Sequence, residues 1–184
     1  NEMSSITRVA EKIIIPTPFA VGDVNTYLLK GDALTLVDAG IKTQEAKEAL
    51  ERQLKELGYR LSDIEQVILT HHHSDHCGLI DVFQEAPLYG HEDNQRYLKR
   101  EPAFMNEQKD YFTSMAKQFS VPPQLMKYAN DVKSLYTYSG SKSLTHFLKE
   151  GDWIPGHPGW RAMETFGHSQ GHLSFYHEES GTLI

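Results

Sequence analysis

The chain has 184 residues, 39% of them hydrophobic and 23% charged, and carries a formal net charge of −7. That length suits one domain with a real core, and the acidic balance speaks against a protein that coats nucleic acid. The longest apolar run near the start, Ile13-Ile14-Ile15, is far too short for a signal sequence or a membrane span.

Neither a nucleic-acid partner nor a membrane is therefore expected. The single cysteine, Cys77, excludes an internal disulfide, which suits a reducing cytoplasm, and the cytoplasm is the expected location. Asn1 and Glu2 precede Met3 and read as an addition ahead of the native start.

From Lys12 to Asp38 the pattern is β. Ile13-Ile14-Ile15 stops at Pro16, and Asn25 to Leu29 makes a second run. A turn at Lys30-Gly31-Asp32 joins that run to Leu34–Val37 as a hairpin. Asp38 closes the strand, either as a plain turn former or as a carboxylate that steadies a neighbouring loop from behind. Thr43 to Leu57 reads as a helix. Thr43 is placed to cap it, Glu45 lies in the first turn, and Gly58 supplies the stop. Ala46, Ala49, Leu50, Leu54 and Leu57 form one apolar stripe.

Gln66 to Leu69 reads as a short buried strand, and it delivers the most informative stretch, Thr70-His71-His72-His73-Ser74-Asp75-His76-Cys77-Gly78. Imidazole and carboxylate donors suit zinc, iron and manganese alike. In an extended segment His71 and His73 point to the same side and can grip one ion together. Asp75 and His76 follow where the chain turns toward a helix, placed to face a second ion or an ion-bound water. The bland alternative is a polar loop that happens to be rich in histidine, but a strand before it and an interposed aspartate favour a metal site.

A helical stretch at Leu79–Gln84 and a strand around Leu88-Tyr89 come next, so helices are expected to layer on a sheet. Between about residues 94 and 142 the pattern turns helical and basic, with eight Lys and Arg against four Asp and Glu. Phe112, Met115, Ala116 and Phe119 fall at helical spacing, as do Leu125, Ala129, Val132 and Tyr136. These side chains either pack on the body or form an apolar, positively biased cap over the metal site, the latter suiting an anionic small-molecule substrate. From Leu144 the chain returns to β. Thr145–Leu148 and Trp153-Ile154 read as a hairpin about Glu150-Gly151-Asp152, and Trp160–Phe166 as a strand. Two further runs, Leu173–Tyr176 and Thr182–Ile184, end the chain. His91, His146, His157 and His177 are lone histidines and read as structural.

Gly167-His168-Ser169-Gln170-Gly171-His172 differs from those, because glycines let the backbone bring an imidazole up to a shared centre. Together with Val37-Asp38-Ala39-Gly40 and the Thr70–Gly78 stretch, it resembles the metallo-β-lactamase superfamily, in particular its glyoxalase II-like hydrolases. The resemblance implies an α/β fold of the αββα sandwich type, as a single domain over residues 3–184 with a helical insert at about 94–142. It implies that His71, His73 and His168 bind one metal ion and that Asp75 and His76 contribute to a second. Asp38 matches a bracing position, and His172 matches a structural one with no catalytic part. Cys77 sits where the family accepts several small residues, so a buried thiol is expected.

Zinc, as one or two ions, is the expected cofactor, with iron or manganese as alternatives. The implied activity is hydrolysis by a metal-bound hydroxide, aimed by Asp75 at an ester, thioester or lactone. Alternatives on the same scaffold are an iron-dependent oxidoreductase such as a persulfide dioxygenase, an RNA phosphodiesterase, and a non-catalytic metal-binding relative. The family's bridging aspartate and final histidine are expected after Ile184, so the second half is expected to be incomplete and the chain by itself inactive. The oligomeric state is not legible in the sequence.

Overall fold

The computed structural model describes residues 10–18, 22–71, 74–99, 110, 114, 118, 120, 140, 142–165 and 171–184. Its larger sheet runs in sequence order through β1 (Ala10–Ile15), β2 (Val24–Leu29), β3 (Thr35–Val37), β4 (Gln66–Ile68), β5 (Leu88–Gly90) and β6 (His146–Phe147). β1, β2 and β3 are antiparallel neighbours, and from β3 onward every pairing is parallel. The smaller sheet is an antiparallel meander of β7 (Trp160–Glu164), β8 (Leu173–His177) and β9 (Thr182–Leu183).

Side-chain alternation along the strands builds the layers. Ile13, Ile15, Leu28, Leu36 and Val67 point to one face and pack with Ala46, Leu50 and Leu54 of helix α1 (Gln44–Glu56). Leu29, Val37 and Ile68, one residue further along their strands, point the other way and meet Trp160, Ala162, Leu173 and Phe175 of the small sheet. The described residues thus stack as helix, sheet, sheet. The middle sheet is buried on both faces, which is why its parallel strands read as unbroken apolar runs. The helix forms as its sequence dictates. Thr43 Oγ1 accepts the Ala46 N–H at 3.1 Å, and the Gln53 amide ties the helix to β1 through both the N–H and C=O of Ile14.

One expected hairpin is replaced by a different pairing. The residues 145–154 do not pair with each other: β6 joins β5 in parallel, while Trp153 bridges forward to Arg161. The intervening turn is held by β7, through Gly151 N–H to Ala162 C=O at 2.9 Å and Ala162 N–H to Asp152 C=O at 2.7 Å. Leu148 and Ile154 can then both bury themselves between the sheets. The helical insert falls mostly outside the described residues. Within it Gln95–Leu98 is helical, as are Asp110, Ser114 and Gln118. Lys142 is one of its basic residues. Its Nζ donates to the carbonyls of Phe83 and Ala86, and burial holds its pKa below the usual lysine range.

Parallel pairing puts the carboxyl ends of β3, β4 and β5 on one edge of the middle sheet. The opposite edge, at the amino ends of β3 and β4, is closed by the loop that leads into β7. His157 Nε2 lies 2.6 Å from Thr35 Oγ1, Gln66 Nε2 donates to Pro155 C=O at 2.7 Å, and Asp32 N–H to Gly156 C=O at 2.9 Å. Gly31 allows this approach, since a Cβ there would stand 2.7 Å from both Gly156 O and His157 Nδ1.

Burial lowers the His157 pKa below its ordinary value, against the opposing pull of the Ala33 carbonyl and the Asp32 charge. The folded chain therefore holds this imidazole neutral, and the unfolded chain takes up the proton first as the pH falls below about 6.5. The contribution is intact above that pH and is lost as pH drops toward the depressed folded value. Chemical denaturation at about pH 7.5 and about pH 5.5 is expected to show a smaller acid loss for His157→Gln than for the wild type. Equal losses would remove His157 from the acid sensitivity.

Candidate metal centre

Three exit loops share the edge at the carboxyl ends of β3, β4 and β5, the place where open parallel sheets present their ligand-binding groups. The first begins at Asp38, the second at Thr70-His71, and the third at His91. Asp38 is 4% exposed and has φ of 66°, an uncommon conformation for a residue other than glycine, although aspartate tolerates it better than most. Its own N–H donates to Ile68 C=O at 2.8 Å, so the backbone is bound to β4 just where the histidine loop departs.

The Asp38 carboxylate accepts three kinds of bond. Thr70 N–H reaches Oδ1 at 2.8 Å, Thr70 Oγ1 lies 2.8 Å from Oδ2, and His76 Nδ1 lies 2.8 Å from Oδ2. Counting protons assigns the tautomers. The single Thr70 hydroxyl proton is directed to the carboxylate, so His71 Nδ1, 2.8 Å from the same Oγ1, must be the donor in that contact. His76 Nδ1 likewise donates to Asp38. In both rings the lone pair then resides on Nε2, the form in which imidazole ligates a metal, with a carboxylate network fixing the orientation.

The loop turns into the short helix α2 (Ser74–Cys77), which is stitched to the segment after Asp38. Ala39 N–H donates to His76 C=O at 2.6 Å, Gly78 N–H to Gly40 C=O at 2.7 Å, and Leu79 N–H to Ala39 C=O at 3.2 Å. Gly78 is required by this approach: a Cβ would stand 2.1 Å from Lys42 N and 2.4 Å from Ile41 C. The expected helix at Leu79–Gln84 is a 3₁₀ segment over Gly78–Val82, its first N–H groups already engaged by the Ala39-Gly40 carbonyls. Cys77 is in no disulfide and is fully buried within the main core cluster.

The rings of His71 and His76 lie 4.2 Å apart between centroids. His172, for which the resemblance implies only a structural part, has its ring 4.9 Å from that of His71. Thr165 and His172 close the base of the second histidine segment twice, through Thr165 N–H to His172 C=O at 2.9 Å and through Thr165 Oγ1 to His172 Nδ1 at 2.6 Å. Leu173 N–H then donates to Thr70 C=O at 2.7 Å, joining the two histidine segments at their bases. The expected ligands His73 and His168 and the side chain of Asp75 lie outside the described residues. Among the described residues no three His, Cys, Asp or Glu side chains gather as a complete metal site. The part that is described fits a metal by its donor chemistry, two adjacent imidazoles with Nε2 lone pairs backed by a carboxylate.

The sequence did not reveal Thr70. It is 6% exposed and bonded to Asp38, His71 and Leu173, yet its signal is a lone hydroxyl at the end of an apolar strand.

A family model described as the metallo-beta-lactamase superfamily matches residues 20–184. Among curated proteins, "Probable metallo-hydrolase YqjP" of Bacillus subtilis is 47% identical over 173 residues, 94% of this chain and 54% of its own length. "Probable metallo-hydrolase YflN" of the same organism is 26% identical over 149 residues, 79% of this chain and 49% of its own. Among solved structures, a metallo-beta-lactamase family protein from Thermus thermophilus matches with a TM-score of 0.79 at 29% identity, over 97% of this chain and 59% of that one. A beta-lactamase domain protein from Burkholderia ambifaria, 22% identical with a TM-score of 0.68, shares the fold over 96% of this chain and 51% of its own. The chain spans about half the length of the curated relatives it matches.

Asp38→Asn tests the carboxylate network directly. Asparagine tolerates the backbone conformation, but its amide replaces one acceptor by a donor facing Thr70 or His76. We expect a loss of about 1–3 kcal/mol of stability, together with a switch of His76 toward the Nε2–H tautomer, read from the ring ¹⁵N shifts. An unchanged His76 tautomer would show that Asp38 does not set it.

Proposed function

Because the chain belongs to the metallo-β-lactamase superfamily, whose curated relatives carry the name probable metallo-hydrolase, we propose that the intact protein is a divalent-metal hydrolase acting on an ester, thioester or lactone carbonyl. The observation that carries the reading is the Asp38–Thr70 network, which presents both His71 and His76 as Nε2 donors at the sheet edge. We assign His71, His73 and His168 to one ion and Asp75 and His76 to a second, with zinc as the metal. A bound divalent cation supplies Lewis acidity, lowering the pKa of water toward about 7 and stabilising negative charge on the carbonyl oxygen.

The chain's own residues do the remainder. Asp38 holds the histidine loop rigid from behind, so the imidazoles need not reorganise during the reaction. Asp75 accepts a hydrogen bond from the attacking water and aims its oxygen at the carbonyl carbon. The bond from that carbon to the leaving oxygen or sulfur breaks, and the proton taken from water passes to the leaving group. No covalent bond to the protein forms. The basic balance of residues 94–142, eight Lys and Arg against four Asp and Glu, suits a small anionic substrate. Among the described residues no helix is long and apolar enough to cross a membrane; we place the protein in the cytoplasm, free of nucleic-acid partners.

Chelation is expected to abolish hydrolysis of a thioester and lactone panel, with zinc restoring it. In the intact protein, Asp75→Asn is expected to lower kcat by about 10²–10⁴-fold while retaining part of the metal. Near-wild-type turnover in that variant would sink the role of Asp75. Elemental analysis giving iron with no hydrolysis of the panel would move the assignment to redox chemistry.

A further inference from the structure

β5 is the third parallel strand to open on the metal-site edge, and it exits through the turn His91–Asn94. His91 stands there as Asp38 does after β3, yet it is not presented as a ligand. Its Nδ1 accepts the Asp93 N–H at 3.2 Å, capping the 3₁₀ turn Glu92–Asn94, while the Asp93 carboxylate lies further off at 3.5 Å. The ring proton is thereby on Nε2, which donates to Glu164 Oε1 at 2.9 Å. Glu164 ends β7, immediately before the second histidine segment.

Three residues along, Asn94 grips the other end of that segment. Its side chain is fully buried and donates from Nδ2 to the Gly171 carbonyl at 3.2 Å. Gly171 has φ of +79°, and a Cβ there would meet Asp93 Cβ at 3.0 Å and Asn94 Oδ1 at 3.1 Å. Turn and segment therefore meet in a contact that has no room for a side chain. Between Glu164 and Gly171 lies His168 in the sequence, and just beyond is His172, whose ring packs on His71. A turn from the first sheet thus holds both ends of the segment that the second sheet contributes.

We infer that His91 and Asn94 are positioning residues, a clamp that sets the second histidine segment against His71 and so controls metal affinity without touching the metal. The inference rests on the metal-site reading proposed above. A turn that only packed against its neighbours would contribute to stability alone, and the two roles separate by measurement.

Zinc affinity of the intact protein is measured by competition with a chromophoric chelator, beside the Tm of the metal-free form and the visible spectrum of the cobalt form. His91→Ala is expected to weaken zinc binding by about 10–100-fold and to shift the cobalt bands. His91→Gln, which keeps a side-chain donor toward Glu164, is expected to recover most of the affinity, and Asn94→Asp, which loses its donor, to weaken it. Glu164→Ala cuts the same bond from its more exposed end and carries the test if His91→Ala does not fold. Unchanged zinc affinity and cobalt spectrum in these variants, with only Tm lowered, would overturn the clamp and leave the metal site standing. A wild-type protein that binds no zinc or cobalt would overturn the metal site, and the clamp with it.

Discussion

The Asp38 carboxylate is the contact on which the site depends. It is buried at the carboxyl end of β3 and bonded to the backbone and hydroxyl of Thr70 and to the ring of His76. A buried carboxylate is costly unless its lone pairs are matched by donors. Here the matching donors belong to the loop that must be held. The desolvation cost and the ordering of the histidine loop are thus met by one set of bonds. The unusual backbone angle at Asp38 belongs to the same arrangement, since strain of this kind persists only where the surroundings over-determine it.

From that contact the geometry spreads outward. Thr70 relays the carboxylate to His71 on one side and, through its carbonyl, to Leu173 of the small sheet on the other. Gly78 lets the short helix α2 lie against the backbone of Ile41-Lys42, which fixes where His76 can stand. A sheet buried on both faces leaves its strand ends as the place for polar chemistry, and parallel pairing gathers three such ends together. The fold confines the site to that edge before any particular ligand is considered.

What was legible in the sequence was what local pattern encodes. Helix α1 shows its cap, stripe and stop within fifteen residues or so, and the structure reproduces each. The histidine loop was visible because its residue types are rare in that spacing, whereas the residues alone left Asp38 as either a turn former or a brace and the resemblance implied the bracing position. The structure gives Asp38 the contacts a brace requires. The hairpin expected at residues 145–154 was misplaced because β6 is two residues long and its partner β5 lies more than fifty residues earlier. No local periodicity records a parallel pairing of that kind. His91 read as a lone histidine for the same reason, since its partner Glu164 is distant in sequence; His172 was given only the structural part that the resemblance implies, and its neighbour His71 is equally distant.

The bond from Leu173 N–H to Thr70 C=O carries a consequence for assembly. The first histidine segment belongs to the larger sheet and the second to the smaller one, so the sheets must dock before their imidazoles can face one another. Docking is driven by burial of Val37 and Ile68 against Ala162, Leu173 and Phe175, directly behind the loops. Formation of the inter-sheet core and formation of the site are consequently one event rather than two. A metal that binds only the assembled arrangement draws its binding energy into folding, and it also resists separation of the sheets. Substitutions in this inter-sheet core, though remote from any ligand, therefore act on the site through the same docking that brings His172 beside His71.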